Sequence, residues 1–505
     1  MSGGVLETAR QWLAQDPDEA TRAELADLIA RAESGDDAAT ADLHDRFDTR
    51  LAFGTAGLRG ALGAGSNRMN RVLVSQAAAG FAAYLRERAG GETPSVVIGY
   101  DGRRNSDVFA RDSAEIFAGA GLRAVLLPRL LPTPVLAFAV RHLGVSAGVM
   151  VTASHNPPDD NGYKVYLGGD DDGAQIVSPA DAEIAAHIDE VAARADLGAI
   201  ARSDDYETSD ESVVEAYVNA TALVAPAPAG AAGLNWVYTA MHGVGHETFA
   251  RVLETAGYPA PTVVTAQIEP DGRFPTVAFP NPEEPGAMDL AYAAADAAGA
   301  DLVLVNDPDA DRLSVAIPDP DRDGGWRQLT GNEVGLLLGW DAARSAHGQG
   351  ALAASIVSSP GLQVIAEAHG MGFSTTATGF KWISRVPGLV YGFEEALGYL
   401  VNPGTVRDKD GISALLRVLT LAHELHAHGS SLADELIALA AEFGGFASGQ
   451  GSLRVADRSR IPAIVQRLRE APPAQLAGSD VVAADDLSLP EHGAIGDILR
   501  LTLAD

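Results

Sequence analysis

Short apolar runs alternate with longer helical patterns along most of the chain. In the first third, apolar runs at 95–99 and 124–127 predict strands, and the segments 71–88 and 135–142 predict helices. Residues 1–50 precede them and read as acidic helices on the outside of the first domain. Strands that alternate with helices are typical of βαβ units with parallel strands. The pattern therefore indicates an α/β fold.

The same alternation continues after a polar, acidic stretch at 201–212, which we interpret as a linker. Apolar runs at 236–240, 262–265 and 301–305 predict the strands of a second α/β domain. A further run at 353–357 predicts a strand of a third domain. With 505 residues, the chain is long enough for three or four domains at about 100 to 200 residues each.

The charge balance restricts the class of partner. The net charge of −32 argues against nucleic acid, whose binding requires many Lys and Arg side chains against the phosphates. A small anionic substrate would need a local basic pocket. The chain has no cysteine, and it shows neither a signal peptide nor an apolar run of the roughly 20 residues that a membrane helix needs. We therefore expect a cytoplasmic protein without nucleic-acid or membrane partners.

One serine stands out by its position. Ser154 follows the apolar run 148–152 and precedes a tight polar loop that leads to Lys164. A hydroxyl at the end of a strand is presented rather than packed, although a serine that simply closes a strand is the alternative. No Gly-x-Ser-x-Gly motif surrounds Ser154, so acyl transfer is not favoured.

Three aspartates follow the predicted strand at 301–305. Asp307, Asp309 and Asp311 are spaced two apart, so their side chains can converge beyond the carboxyl end of that strand. Three carboxylates without His or Cys favour a hard cation, magnesium more readily than zinc. Chance clustering remains the alternative, because the chain has 68 acidic residues. Arg312 stands beside the cluster, where it could hold an anion.

Three glycine-containing segments add candidate ligands. The segments 53–60 and 100–106 contain arginines, whose guanidinium groups can bind phosphate beside backbone N–H groups. The segment 392–398 carries Glu394 and Glu395 between glycines, where carboxylates can accept hydrogen bonds from sugar hydroxyls. Each segment taken alone is also compatible with an ordinary turn or helix start.

Lysine is rare in this chain. Of the 36 basic residues, only Lys164, Lys381 and Lys409 are lysines, and each lies among glycines and polar residues. A lysine ammonium can transfer a proton, whereas a guanidinium does not. Their placement supports a functional use, although three residues are a small sample.

Together these segments resemble the α-D-phosphohexomutase superfamily, which contains phosphoglucomutases and phosphomannomutases. The resemblance runs from about residue 40 to the end and includes a branch similar to phosphopentomutases and glucose-1,6-bisphosphate synthase. Five motifs in the family's order carry it: Phe53-Gly-Thr-Ala-Gly-Leu-Arg59, Thr152-Ala-Ser-His-Asn-Pro157, Phe279-Pro-Asn-Pro-Glu-Glu-Pro285, Asp307-Pro-Asp-Ala-Asp-Arg312 and Gly392-Phe-Glu-Glu-Ala-Leu-Gly398.

The resemblance implies a fold of three consecutive α/β domains with mixed, mainly parallel sheets around a central cleft, followed by a short C-terminal α+β domain. It places the phosphoserine loop in 1–212, the metal site in 213–325, the sugar-specificity loop in 326–430, and an incomplete phosphate-binding domain in 431–505. The family pattern has an Arg-x-Ser-Gly-Thr-Glu-Pro loop in its last domain, and this sequence has none. We therefore expect a C-terminal domain that is truncated.

The resemblance also implies a phosphosugar mutase that moves a phosphoryl group between positions 1 and 6 of a hexose phosphate, most readily glucose. Ser154 would carry the phosphoryl group, and Mg²⁺ and a glucose 1,6-bisphosphate activator are the implied cofactors. We expect sugar phosphates as ligands and a monomer or small homo-oligomer. The implied site residues are Ser154, His155 and Lys164 in catalysis, Asp307, Asp309 and Asp311 at the metal, Arg59 and Arg312 at phosphate, and Lys381, Glu394, Glu395 and Lys409 at the sugar phosphate.

Three alternatives stay open. Ala396 stands where many family members have serine, so a phosphopentomutase acting on ribose or deoxyribose phosphate is one alternative. A strand followed by Asp-x-Asp also suits a phosphatase in which Asp307 is the nucleophile and Asp309 the acid. A truncated protein that binds sugar phosphates without turnover is the third.

Overall fold

The computed structural model of the protein describes residues 2–194, 196–228, 231–449, 451, 455, 460–489 and 496–504. These residues form three consecutive α/β domains and a small C-terminal β domain, which confirms the predicted fold class. Among them, no helix is both long and apolar enough to cross a membrane.

Three helices precede the first sheet, as the sequence predicts: α1 (Ser2–Gln15), α2 (Glu19–Glu33) and α3 (Asp37–Phe47). The Asp18 and Asp36 side chains accept hydrogen bonds from N–H groups in the first turns of α2 and α3. The helices bury an apolar cluster of their own, built from Val5, Trp12, Leu25, Leu28, Ile29 and Leu43.

The first sheet has the strand order β1-β5-β4-β2-β3-β7, with β6 beside β5. Strands β4, β2, β3 and β7 are parallel, and β5 is antiparallel to both β4 and β1. The stretch 201–212 that we interpreted as a linker contains the edge strand β7, so that interpretation is wrong in part. The strands are β1 (Leu58–Ala61), β2 (Ser95–Tyr100), β3 (Arg123–Leu126), β4 (Ala147–Val151), β5 (Asp160–Leu167), β6 (Ala174–Gln175) and β7 (Glu207–Thr208).

Four helices cover this sheet: α4 (Arg71–Arg88), α5 (Ser106–Gly119), α6 (Thr133–His142) and α7 (Ala180–Ala193). Helix α4 begins after Asn70, whose side chain accepts a hydrogen bond from the N–H of Leu73. Gly80 lets α4 approach α7 closely, because a Cβ there would lie 2.6 Å from the backbone of Ile188. Helix α6 packs on β2 and β4 of the sheet.

The second domain has the strand order β12-β11-β10-β8-β9. Strand β10 is parallel to β8 and antiparallel to β11. The acidic segment 319–324 forms a turn after β11. The strands are β8 (Trp236–Thr239), β9 (Thr262–Val263), β10 (Leu302–Asn306), β11 (Leu313–Pro318) and β12 (Trp326–Gln328), and the helices are α8 (Ser212–Ala222), α9 (Gly245–Ala256) and α10 (Asp289–Ala298).

The third domain has the strand order β14-β13-β15-β16, in which only the β15–β16 pair is antiparallel. Helix α11 starts with a capping box between Thr330 and Glu333. The strands are β13 (Ala351–Ser355), β14 (Gly372–Thr376), β15 (Leu389–Glu394) and β16 (Gly398–Leu400), and the helices are α11 (Gly331–Ala346), α12 (Gly361–Ala368), α13 (Phe380–Ile383), α14 (Gly411–Ala427) and α15 (Leu432–Phe443).

The C-terminal region contains one helix and an antiparallel sheet in the order β17-β18-β19. Helix α15 of the preceding domain packs on α11, α12 and α14. The predicted domain boundaries stay predictions. The C-terminal elements are α16 (Arg460–Glu470), β17 (Gln475–Leu476), β18 (Ser479–Asp486) and β19 (Leu499–Leu503).

One continuous apolar cluster joins the first three domains. It includes Val135 of α6, Tyr217 of α8, Leu304 of β10 and Leu415 of α14, all of them buried. Because this core holds the domains together, the loops that follow β4, β10 and β15 meet in one region. Ligand sites of α/β proteins commonly lie at such carboxyl ends of strands.

Candidate active site

The loop after β4 holds Ser154 in an unusual backbone conformation. Ser154 has φ of +51°, in the left-handed region, which costs a non-glycine residue about 1–3 kcal/mol. Its N–H donates to Oγ1 of Thr152 at 2.8 Å, which holds the turn. Only 2% of the residue is exposed. The turn therefore fixes the direction of a nearly buried hydroxyl.

Arg103 holds the same loop through hydrogen bonds to its backbone. Its guanidinium donates to four backbone carbonyls: those of Ser154 and Asn156, both at 2.6 Å, of Pro157 at 2.9 Å and of Asp160 at 3.1 Å. Arg103 is buried, so these bonds satisfy carbonyls that water does not reach. The sequence left open whether the arginines of segment 100–106 bind phosphate or belong to an ordinary turn, and the Nη1 and Nη2 donors of Arg103 serve the protein backbone.

Replacing Arg103 with alanine should lower the free energy of unfolding by about 3–5 kcal/mol, because buried Asp101 loses its counter-charge and four carbonyls lose their donors. The neighbour Arg104 offers a matched control, since it is half exposed and pairs with exposed Asp159. Arg104→Ala should cost less than about 1 kcal/mol. Urea denaturation followed by circular dichroism measures both, and equal losses would contradict the assigned role of Arg103.

The loop after β10 gathers three carboxylates. Asp307, Asp309 and Asp311 are fully buried, and one oxygen from each lies within 4.8 Å of the others. Ala310 has φ of +56°, which turns the chain so that the third carboxylate returns to the first two. The Ser154 hydroxyl donates to Oδ2 of Asp307 at 2.8 Å. The predicted serine and the predicted aspartates therefore form one site.

Both oxygens of Asp307 accept hydrogen bonds, Oδ2 from Ser154 and Oδ1 from the N–H of Arg312 at 3.0 Å, whereas Asp309 and Asp311 each have only one oxygen held by donors. Oδ2 of Asp309 accepts from Oγ1 of Thr133 at 2.6 Å and from Nζ of Lys164 at 2.7 Å. Oδ2 of Asp311 accepts from Lys164 at 2.7 Å and lies 3.0 Å from Nζ of Lys409. The Oδ1 atoms of Asp309 and Asp311 are buried and have no hydrogen-bond partner within the described part of the chain.

Unpartnered buried carboxylate oxygens are costly, and a bound cation would satisfy them. Burial and the charges of Asp309 and Asp311 raise the pKa of Asp307 well above its ordinary value, so the cluster is crowded with negative charge. Burial also opposes ionisation of Asp309, but Lys164 and Thr133 hold its pKa below the ordinary value. An all-oxygen set of buried carboxylates suits Mg²⁺ better than Zn²⁺. The cluster can therefore bind a metal.

Two lysines bring charge from different domains to this cluster. Lys164 extends from β5 of the first domain, and Lys409 precedes α14 of the third. Burial favours the neutral form of Lys164, but Asp309 and Asp311 raise its pKa above the ordinary value. Burial also favours the neutral form of Lys409, but Asp311, Asp408 and Glu394 raise its pKa above the ordinary value. Both lysines therefore carry a proton in this arrangement.

The two predicted phosphate ligands flank the serine loop. Nη1 of Arg59 donates to Oδ1 of Asn156 at 3.2 Å. Nη1 of Arg312 donates to the carbonyl of Ala396 at 2.7 Å, while its Nε is buried without a hydrogen-bond partner among the described residues. Arg312 thus connects the aspartate loop with the segment 392–398, and its Nε lies 3.8 Å from Oδ1 of Asp311.

His155 lies beside Ser154, and its imidazole is a weak base there. Its Nδ1 is 3.3 Å from Oγ of Ser154 and 4.0 Å from Oδ2 of Asp307. Burial, together with the positive charges of Arg312 and Arg59, lowers the pKa of His155 to about 2. The imidazole is therefore neutral near pH 7, and it can share a hydrogen bond with the serine without carrying charge.

The adjacent glutamates of segment 392–398 have different surroundings. Glu394 is buried near Lys409 and Arg312, and burial raises its pKa despite these cations. Glu395 accepts hydrogen bonds at Oε2 from Ser355 at 3.1 Å and Ser358 at 2.9 Å. Glu394 is thus placed near the charged site, whereas Glu395 is held by two hydroxyls of its own domain.

Lys381, the third lysine, lies on α13 and reaches the first domain. Its Nζ donates to Oγ1 of Thr55 in the glycine-rich segment 53–60. Burial lowers the pKa of Lys381, although Asp181 and Glu394 oppose the shift. Lys381 therefore connects the third domain with the loop that carries Arg59.

The chain matches models of one protein family over three consecutive segments. Models of the phosphoglucomutase/phosphomannomutase α/β/α domains I, II and III match residues 50–195, 215–323 and 330–441 respectively. Together these segments cover well over half of the chain. The chain belongs to the phosphoglucomutase/phosphomannomutase family.

Individual members of this family are similar over most of their length. The chain is 56% identical over 414 residues to a probable phosphomannomutase of Haemophilus influenzae, covering 82% of this chain and 84% of that protein. It is 36% identical over 504 residues to human phosphopentomutase, covering 92% and 79%. A crystal structure of a putative phosphomannomutase from Thermus thermophilus superimposes with a TM-score of 0.70 at 27% identity, covering 90% and 91%.

These relatives confirm the predicted enzyme class: this phosphoglucomutase/phosphomannomutase family member is an intramolecular phosphotransferase that acts on phosphosugars. The sequence alone did not identify every residue of the site. Thr133 contacts Asp309, and buried Asp408 accepts hydrogen bonds from Tyr166 and Gln175 of the first domain. The Pro-Thr-Pro sequence around Thr133 signals a helix start, but no local pattern connects it with a residue 176 positions later.

Proposed function

We propose that the protein interconverts the 1- and 6-phosphates of a hexose, with glucose phosphate as the preferred substrate, through phosphorylated Ser154 and a hexose 1,6-bisphosphate. The observation that carries this proposal is the hydrogen bond of 2.8 Å from the Ser154 hydroxyl to Asp307. It places a nucleophile with a fixed direction at the edge of a buried carboxylate cluster. A transferable phosphoryl group on that oxygen would lie against the same cluster.

In the proposed cycle, the bond between Oγ of Ser154 and phosphorus breaks as a sugar hydroxyl forms a new bond to that phosphorus. The hydroxyl proton passes to the neutral amine of Lys164, whose ammonium must first release a proton to water, and the product is a sugar bisphosphate. After the bisphosphate reorients, Oγ of Ser154 takes the other phosphoryl group. Lys164 then returns the proton to the sugar oxygen from which that phosphoryl group has departed. Atoms and charge balance over the cycle, and the bisphosphate explains an activating role for glucose 1,6-bisphosphate.

Asp307, Asp309 and Asp311 would hold Mg²⁺. Bound Mg²⁺ supplies positive charge against the oxygens of a transferring phosphoryl group. The chain's own residues do the rest. Arg59 and Arg312 flank the serine loop and would bind the phosphoryl oxygens. The hydrogen bonds from Arg103 to the backbone of the serine loop would keep the nucleophile in line.

The sugar would lie between the serine loop and the third domain. We propose that Glu394 and Glu395 accept hydrogen bonds from its hydroxyls and that Lys381 and Lys409 neutralise its phosphate. Burial of Glu394 between Lys409 and Arg312 supports its role, because a carboxylate held there accepts directional hydrogen bonds in a site of low polarity. Glu395 would first have to share the oxygen that now accepts from Ser355 and Ser358.

A phosphopentomutase is the second candidate. Ala396 removes the hydroxyl that a serine would present beside Glu395, so one hydrogen bond to the sugar is unavailable at this position. The similarity to a human protein named phosphopentomutase favours the same candidate. The similarity to a protein named probable phosphomannomutase adds mannose phosphate to the hexoses that require testing.

A substrate panel tests the proposal. We expect kcat/KM to be highest for glucose 1-phosphate, at least about fivefold above ribose 1-phosphate and 2-deoxyribose 1-phosphate, since one well-placed hydroxyl interaction contributes about 1 kcal/mol or more. Mannose 1-phosphate is the hexose control, and each assay contains the matching bisphosphate. A higher value for either pentose phosphate would establish the second candidate. Binding of all four substrates without isomerisation would contradict both.

A further inference from the structure

The first residue of helix α6 contacts the aspartate loop of the neighbouring domain twice. Oγ1 of Thr133 donates to Oδ2 of Asp309 at 2.6 Å, and the N–H of Thr133 donates to the backbone carbonyl of Asp309 at 2.9 Å. Thr133 is fully buried. One residue of the first domain therefore fixes both the backbone and the side chain of a residue in the second.

These contacts determine which oxygen of Asp309 is available. Thr133 and Lys164 both donate to Oδ2, so the carboxylate cannot rotate without breaking two buried hydrogen bonds. Its Oδ1 is left buried and without a hydrogen-bond partner in the described ranges, as is Oδ1 of Asp311. The start of α6 also faces Asp309 with the partially positive end of a ten-residue helix, which favours the ionised carboxylate.

We propose that Thr133 is a positioning residue of the cation site: it holds Asp309 so that Oδ1 faces the ion, and it makes cation affinity depend on the contact between the first two domains. This inference rests on the proposed magnesium site. Partners that orient a metal ligand typically contribute a 10- to 100-fold effect on metal affinity. Threonine suits the position because its hydroxyl is short and its χ1 angle is restricted.

Mn²⁺ binding, followed by electron paramagnetic resonance without sugar phosphate, tests the proposal independently of turnover. Thr133→Val keeps the shape of the side chain and removes the hydroxyl, and we expect its dissociation constant to rise about 10- to 100-fold. Thr133→Ser restores the donor and should bind nearly as tightly as the wild type. Asp309→Asn defines the background from the acidic surface, since the net charge is −32.

A buried threonine elsewhere provides the matched control. Oγ1 of Thr420 lies 2.6 Å from the Tyr258 hydroxyl and donates to the Leu416 carbonyl, and none of these partners is a carboxylate. Thr420→Val should lose a comparable buried contact and bind Mn²⁺ like the wild type. If Thr133→Val does not fold, Thr133→Ala replaces it, because alanine also lacks the hydroxyl and is smaller than threonine.

The outcomes separate this inference from the proposed function. If the wild type binds no more Mn²⁺ than Asp309→Asn, the magnesium site itself is wrong. If the wild type binds well and Thr133→Val matches it, only the role of Thr133 is wrong. Equal weakening in Thr133→Ser and Thr133→Val, or in Thr420→Val, would also overturn that role, since the hydroxyl at position 133 would not be responsible.

Discussion

Replacing Ser154 with alanine should abolish interconversion of the sugar phosphates, with a fall in kcat of at least about 10,000-fold, as removal of a nucleophile does. Without Oγ no phosphoserine can form. A coupled assay of glucose 6-phosphate formation measures the loss. Mass spectrometry of the intact protein should find one phosphate on the wild type and none on the variant.

Ser154→Gly is the matched control for folding. Glycine adopts the left-handed conformation at φ of +51° without the penalty of about 1–2 kcal/mol that alanine incurs. The glycine variant should therefore unfold at a higher urea concentration than the alanine variant while being just as inactive. Such a result ties the loss to the missing hydroxyl rather than to misfolding.

The same substitution separates the mutase from the phosphatase alternative. An enzyme that used Asp307 as nucleophile would keep its hydrolytic activity in Ser154→Ala. We therefore expect no release of inorganic phosphate by either variant above the wild-type background. Retained activity would show that the hydrogen bond from Ser154 to Asp307 has only a structural role. Ser345, an exposed serine of α11, supplies a Ser→Ala change outside the site that should leave activity unaltered.

The periodicity of the sequence predicted the fold class and the strands β2, β3, β4, β8, β9, β10 and β13, but not antiparallel strands such as β5 and β11. Helix α4 begins and ends at the predicted residues, since Asn70 provides an N-cap signal. Strand β7 was missed because it consists of two exposed residues at the edge of the sheet, where it pairs with β3. Its strand character depends on its neighbour rather than on its own composition.

Candidate site residues are recognisable in the sequence where the chemistry lies within one loop, and they are not recognisable where it depends on contacts between distant parts of the chain. The spacing of Asp307, Asp309 and Asp311 is visible in the sequence, and the loops after parallel strands meet by topology. The role of Arg103 stayed open at the sequence level because a guanidinium suits phosphate and backbone carbonyls equally well. Thr133 carried no signal at all, because its partner lies in another domain.

Replacing Lys164 with arginine should lower kcat about 100- to 10,000-fold, the usual contribution of a general acid or base, while the protein still folds. Lys164 donates to Asp309 and Asp311 at 2.7 Å each, and an arginine can supply that positive charge. An arginine guanidinium does not release a proton near neutral pH. A loss of rate with retained charge would therefore assign proton transfer, rather than charge alone, to Lys164.

Lys409 offers a control with nearly the same surroundings. It is also buried, and its Nζ lies 3.0 Å from the same oxygen of Asp311. We propose only a charge role for Lys409, so Lys409→Arg should keep kcat within about tenfold of the wild type, although the larger side chain strains both sites alike. Similar losses in the two variants would indicate that crowding at Asp311, not proton transfer, limits the rate.

Lys164→Met adds a test of the electrostatic argument. Without the ammonium, Asp309 and Asp311 lose their shared counter-charge, and removing one partner of a buried ion pair costs about 3–5 kcal/mol. The methionine variant should therefore be both inactive and less stable in urea than the arginine variant. Added Mn²⁺ should recover part of that stability, because a cation bound to the three carboxylates replaces the missing charge. If the methionine variant is as stable as the wild type without any cation, the ion pairs of Lys164 do not balance the carboxylate cluster.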